Sequence, residues 1–187
     1  MTMNKNDNLE EKQKDSTEIF RGNLLHVFKD NIILPNNTGA TREYIKHVGA
    51  VAIVPLTAEG KVIVERQYRY PLQRVITEIP AGKLNNKQEN RLEAAKRELQ
   101  EETGFVADTW IEIGEYYPAA AYSDEIITLY LAKNLHKGEQ NLDDDEFLDV
   151  EAVPLKELVK EIMEGKIGDG KTQTALLKVA LLEKLYL

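Results

Sequence analysis

Glu98, Glu101 and Glu102 stand at i, i+3 and i+4 in a run of strong helix formers. On a helix this spacing lets all three carboxylates share one face. Like charges so placed repel, and acids near a helix C-terminus also oppose the macrodipole. Something positive has to compensate. Arg97 is one candidate and a divalent cation is the other, because Mg²⁺ takes oxygen ligands, keeps several waters and bridges carboxylates to substrate phosphates. A solvated acidic helix face is the alternative reading of the three glutamates alone. The histidines, His26, His47 and His136, are scattered, match no ligand spacing and read as structural or surface residues.

The helix that carries these acids is predicted over residues 91–103, with Gly104 as its cap. Strand patterns surround it. Residues 19–34 are mostly β-type and end in the turn cluster 35–39, and residues 41–55 continue as strand. The run Val-Gly-Ala-Val-Ala-Ile-Val, residues 48–54, is apolar on both faces, as a central strand would be. Ala58-Glu59-Gly60 signals a hairpin into residues 61–68. Short strands follow at 75–79, 126–132 and 147–153, the last after an acidic loop at 143–146. Helices are predicted at 155–164, capped by Gly165, and at 172–185. Strands before and after one central helix imply an α/β fold with a mixed sheet and helices on its faces.

Composition bounds the function. With 187 residues, 42% hydrophobic and 30% charged, the chain suits one globular domain with a small appendage. No apolar run approaches the roughly 20 residues of a membrane span. The absence of cysteine excludes disulfides, thiolate metal sites and a cysteine nucleophile. The net charge of −8, from 32 acids against 24 bases, argues against nucleic acid and anionic membranes as partners. A phosphate-bearing small molecule stays compatible, since carboxylates hold cations that reverse the local field. Residues 1–16 read as a frayed polar tail without the apolar core of a secretory signal, which makes the cytoplasm the expected location.

The surroundings of the three acids are more specific. Residues 82–105 read GKLNNKQENRLEAAKRELQEETGF. This closely resembles the signature of the Nudix hydrolases: Gly, five residues, Glu, seven residues, then Arg-Glu-aliphatic-x-Glu-Glu-x-Gly-aliphatic. Arg97 to Phe105 fit the second half, and Glu89 lies correctly ahead of Arg97. Six residues rather than five separate Gly82 from Glu89, which a one-residue insertion in the turn Asn85-Asn86-Lys87 accounts for.

Further stretches are similar to the ADP-ribose pyrophosphatases within that family: GAVAIVP at 49–55, ERQYRYP at 65–71, EIPAGK at 78–83, YSDEI at 122–126 and DEF at 145–147. Ala120-Ala121 stands where those enzymes usually carry Pro-Gly, which bears on the choice of ADP-ribose over another nucleoside diphosphate compound.

The resemblance implies a Nudix fold, an α/β/α sandwich over residues 49–187, with an N-terminal β subdomain at 17–48 that mediates a homodimer. It implies hydrolysis of ADP-ribose to AMP and ribose 5-phosphate. Mg²⁺, or Mn²⁺, would be held by Glu98 and Glu102 with help from Glu101 and the Ala81 carbonyl. Arg97 would orient the carboxylates. Arg69 and Glu78 match substrate-contacting positions, and an Arg fork suits diphosphate oxygens. Glu146 matches a catalytic loop glutamate, with Asp144 or Asp145 as substitutes; a base on a loop can reach the attacking water on closure. Two rivals remain at this level. One is a pyrophosphatase for a nucleotide sugar, an oxidised nucleoside diphosphate or a dinucleotide. The other is a non-catalytic ADP-ribose sensor.

Overall fold

The computed structural model describes residues 9–142 and 146–184 in two compact units. The smaller unit joins the described part of Met1–His47 to Ala119–Glu125. It is an antiparallel meander of β1 (Lys12–Arg21), β2 (His26–Ile33) and β3 (Gly39–Lys46). Segment 119–125 is pinned to β3: the Ile45 amide donates to Tyr122 O at 2.9 Å, and the His47 amide donates to Asp124 Oδ1 at 2.6 Å. Asp30 is buried and takes hydrogen bonds from Gln13 Nε2 at 2.7 Å and the Tyr44 hydroxyl at 3.2 Å. β1 begins at Lys12, so residues 12–16 are not the frayed tail expected of them. They pair with β2 from Lys12↔Ile33 to Ser16↔Asp30, and that long-range ladder overrides a composition with no apolar period.

Among its described residues the larger unit, Val48–Pro118 with Ile126–Leu187, carries two sheets, three α-helices and one turn of 3-10 helix at Tyr70–Leu72. The first sheet runs β7 (Ala81–Lys83), β4 (Ala50–Pro55), β9 (Ile127–Lys137), β8 (Phe105–Tyr116); β4 and β9 are parallel and the other pairs antiparallel. The second is antiparallel, in the order β10 (Leu148–Pro154), β5 (Lys61–Arg69), β6 (Arg74–Glu78). Every residue of β4 is buried, as its two-sided apolar pattern requires. Val51 and Ile53 pack with Leu84, Ala94, Ala95 and Leu99, under α1 (Arg91–Thr103). Ala52 and Val54 join the core that includes Leu158, Leu176 and Val179, contributed by α2 (Leu155–Met163) and α3 (Gly170–Leu182). Helices thus cover both faces, the α/β arrangement the sequence implied.

Two expectations change. The turn after β4 closes as predicted, with Gly60 at φ +74°, but β4 and β5 form no ladder: an isolated bridge, Leu56↔Val62, joins the chain just after β4 to β5, and the two strands belong to different sheets. The twelve-residue β8, unassigned from sequence, pairs along the length of β9, with a bulge near Gly114 that breaks its alternation. α1 matches its predicted bounds because both ends are chemically fixed. Asn90 caps the Leu92 and Glu93 amides, and Gly104, at φ +70°, returns its N–H to Gln100 O.

Candidate active site

The acids of α1 lie against β7. An ideal Cβ on Gly82 would stand 1.9 Å from Glu98 Cδ, so the absence of a side chain there is what lets the Glu98 carboxyl rest on the strand. One turn on, Glu102 accepts the Ala81 amide at 2.9 Å. Both acids are buried, at 9% and 6% exposure. Burial raises the pKa of Glu98, only partly offset by Arg97. Burial also raises Glu102, and the charges of Glu65, Glu98 and Glu146 push the same way against the Ala81 hydrogen bond.

Arg97 gathers the remaining signature acids. Its Nη1 lies 2.7 Å from Glu98 Oε1 and 2.9 Å from Glu101 Oε2, and its Nη2 lies 3.6 Å from Glu89 Oε1. Burial pulls the guanidinium pKa down, but the charge of Glu98 and the hydrogen bonds that Arg97 donates to Glu101 and Glu98 outweigh it. Glu89 is tied back to Asn85, accepting its backbone amide and, at 3.1 Å, its side-chain amide. The extra residue before Glu89 is therefore absorbed in a closed turn ahead of the Asn90 cap, and the register of α1 is untouched.

β5 and β6 bring Glu65 and Glu78 opposite each other in register. Arg69 grips Glu78 with both arms of its fork, Nε at 2.6 Å and Nη2 at 2.8 Å, and Lys171 holds the same carboxylate from the first turn of α3. Burial pushes the Glu78 pKa up, but these two cations prevail and lower it. The expected substrate contacts Arg69 and Glu78 are thus partners of each other. Arg69 is still 42% exposed while Glu78 is buried. Glu146 lines a cleft of about 410 Å³ with Arg66, Tyr68, Val75 and Phe147, and its charge is felt by Glu65, Glu98 and Glu102. Asp144 and Asp145, the substitutes for Glu146, lie outside the described residues. The three histidines are apart, His26 on Glu18, His47 near Glu125 and His136 on Asp108.

Sequence reasoning missed Glu65 and Lys171. Each had a faint signal. Glu65 directly follows the apolar run Val62-Ile63-Val64 and is in phase with Arg69, and Lys171 is a cation at a helix N-terminus, where the macrodipole disfavours one unless an anion holds it.

Among the described residues, no three acids or histidines close into a ready-made metal cage. The donor set instead fits an open oxygen site of the kind Mg²⁺ uses, with a few carboxylates and room for waters and phosphate. Glu98 and Glu102 have less positive charge around them than they need, which is the deficit such a cation removes.

The NUDIX domain pattern matches residues 46–172. The chain belongs to the NUDIX family. Within it, this NUDIX protein is 40% identical over 179 residues to the ADP-ribose pyrophosphatase of Bacillus subtilis, covering 95% of this chain and 96% of that one. It is also 40% identical to the methanol dehydrogenase activator of Bacillus methanolicus, over 94% and 96% of the two chains. Identity to the ADP-ribose pyrophosphatase of Mycobacterium tuberculosis is 32%, over 88% and 80%. The NUDIX fold itself is matched by the crystal structure of an ADP compounds hydrolase, with a TM-score of 0.82 at 22% identity over 94% of this chain and 96% of that one.

Proposed function

We propose that this chain is an ADP-ribose pyrophosphatase, hydrolysing ADP-ribose to AMP and ribose 5-phosphate with Mg²⁺, for which Mn²⁺ can substitute. The observation that carries this reading is the pair Glu98 and Glu102, both buried and undercompensated, set on one face of α1 against Ala81 and Gly82. Glu98 and Glu102 are the metal ligands, with Glu101 and the Ala81 carbonyl beside them. A cation held by these residues would neutralise the diphosphate and would supply a water of lowered pKa. Arg97 fixes the orientation of Glu98 and Glu101. Arg69 offers the exposed part of its fork to substrate oxygens, and Glu78 holds that fork in place. Glu146 accepts or orients the proton of the attacking water.

The 40% identity to the Bacillus subtilis enzyme over nearly the whole of both chains supports ADP-ribose as the substrate. The test is a panel of ADP-ribose, nucleotide sugars, oxidised nucleoside diphosphates and dinucleotides at equal concentration with Mg²⁺. The highest kcat/KM is expected on ADP-ribose, with AMP and ribose 5-phosphate released in equal amounts. A clearly higher value on another compound replaces the substrate, and tight ADP-ribose binding without hydrolysis makes the protein a sensor.

The same reading makes the enzyme a cytoplasmic homodimer built on β1–β3. Ile19, Phe20, Leu24 and Leu25 are exposed there, an apolar group of the kind a partner surface covers. No helix among the described residues is long and apolar enough to cross a membrane. Light scattering should give twice the 21.3 kDa chain mass.

A further inference from the structure

Lys171 is the second residue of α3 and is buried, at a helix end where the macrodipole opposes a cation. An ammonium there is costly unless anions answer it, and two do: Glu78 Oε2 and, at 3.1 Å, Asp169 Oδ2. The helix has other anchors. Asp169 caps the Thr172 amide, the Thr172 hydroxyl accepts the Ile79 amide, and Gly170, by lacking a side chain, leaves room for the Tyr116 hydroxyl. What Lys171 adds is a second cation on Glu78. Arg69 takes both oxygens of that carboxylate through Nε and Nη2, and Lys171 takes Oε2 as well. Held from β5 and from α3, the carboxyl cannot turn freely. The Nε edge of the Arg69 fork is thereby committed to Glu78, while among the described residues its Nη1 donates to nothing.

We propose that Lys171 is a positioning residue for the substrate clamp: by sharing Glu78 with Arg69 it sets the plane of the guanidinium, so that the Nη1–Nη2 edge meets the anionic oxygens of the substrate diphosphate. This inference rests on the reading of Arg69 as a substrate contact. A guanidinium has five N–H groups in a planar fork. One on Nε and one on Nη2 are engaged by Glu78, which leaves the end edge for a bidentate contact with phosphate oxygens. A fork held on a fixed carboxylate meets its substrate already oriented. Without Lys171 the carboxyl keeps Arg69 but can rotate with it, and the clamp loosens rather than disappears.

The test is a double-mutant cycle of the full chain, read in kcat/KM with Mg²⁺ on whichever diphosphate of the panel turns over best. Wild type, Lys171→Met, Arg69→Ala and the double variant are compared well below their melting temperatures. Leu176→Ala, in the buried face of the same helix, serves as the variant that loosens α3 without touching charge. Lys171→Met is expected to lower kcat/KM by about tenfold, within the coupling range of residues in one ion-pair network, and by less than about twofold where residue 69 is already Ala. Leu176→Ala should lower the melting temperature by more than Lys171→Met does and leave kcat/KM within about twofold of wild type. Equal losses from Lys171→Met in both backgrounds overturn the proposal, as does a loss in Leu176→Ala as large as that in Lys171→Met; either assigns Lys171 to the fold. Unchanged kcat/KM in Arg69→Ala overturns the reading of Arg69 itself, and the proposal with it. If Lys171→Met does not fold, Lys171→Gln carries the same cycle with the same expectations, and failure of both to fold overturns the proposal.

Discussion

The Glu98 carboxyl occupies the space that a β-carbon on residue 82 would fill, with 1.9 Å between that position and Glu98 Cδ. The first glycine of the signature is therefore there for its missing volume, not for a special backbone angle. Gly82→Ala should displace the end of the Glu98 side chain, which is flexible enough to move, and leave the strand paired. We expect kcat/KM to fall by about 100-fold, the scale of a misplacement near 1 Å, while the melting temperature shifts little. Steady-state kinetics beside a thermal melt checks this, and a collapsed melt with proportional loss of activity would assign Gly82 to the fold.

Glu98→Gln and Glu102→Gln keep shape and remove charge. Each should lower turnover by orders of magnitude in Mg²⁺ without unfolding the protein. Without metal the Gln variants should be at least as stable as wild type, because an undercompensated buried charge is gone. Near-native activity in both variants would remove the metal assignment.

Stability without divalent cations should depend on pH in a defined direction. Glu65, Glu98 and Glu102 all have pKa values raised in the folded state, so the folded protein binds more protons than the unfolded chain above the ordinary glutamate range. Their contribution is complete at low pH and is lost as pH rises through the raised values. Glu78 has the opposite sign: its lowered pKa gives stability above the ordinary range that disappears in acid. A cation binds the deprotonated acids and cancels the loss at high pH. Melting temperatures from about pH 5 upward, in EDTA and in Mg²⁺, should therefore diverge as pH increases. Parallel curves would contradict this.

Arg69→Ala should lower kcat/KM by about 10- to 150-fold, corresponding to one charge-assisted hydrogen bond of roughly 1.5–3 kcal/mol. An exposed arginine alone would leave stability unchanged, but Arg69 also neutralises buried Glu78. A modest loss of about 1 kcal/mol is expected, limited by the partial exposure of Arg69 and by Lys171, which stays on Glu78. Arg69→Lys should restore stability better than activity, because a point charge replaces the ion pair but not the planar fork. Unchanged kcat/KM in Arg69→Ala would remove it from the substrate site.

α1 was legible from sequence because everything that defines it is local: Asn90 and Gly104 at its ends, the apolar residues Ala94, Ala95 and Leu99, and acids at helical spacing. β4 was legible for a similar reason, its apolar run leaving no face for water. Glu65 was not. An acid on a strand reads as solvent-facing until β10 and β6 are known to flank it, and those pairings join residues far apart in the chain. β8 escaped because its alternation is interrupted near Gly114, and only its ladder to β9 defines it. β1 is polar throughout most of its length and exists through its pairing with β2. Arg69 and Glu78 were singled out, but their grip on each other depends on the β5–β6 register, which the short turn between them leaves open in sequence terms.

The first turn of α3 reaches back 93 residues, Lys171 to Glu78 and the Thr172 hydroxyl to the Ile79 amide at 3.0 Å. On the ribosome the whole signature emerges long before those two side chains. A nascent chain that has just completed β9 carries every carboxylate of α1 and strand β6, yet Glu78 then has one cation instead of two, and the Ile79 amide has no hydroxyl to receive it. α3 is thus the clasp of the interior, and competence comes with its synthesis rather than with the motif.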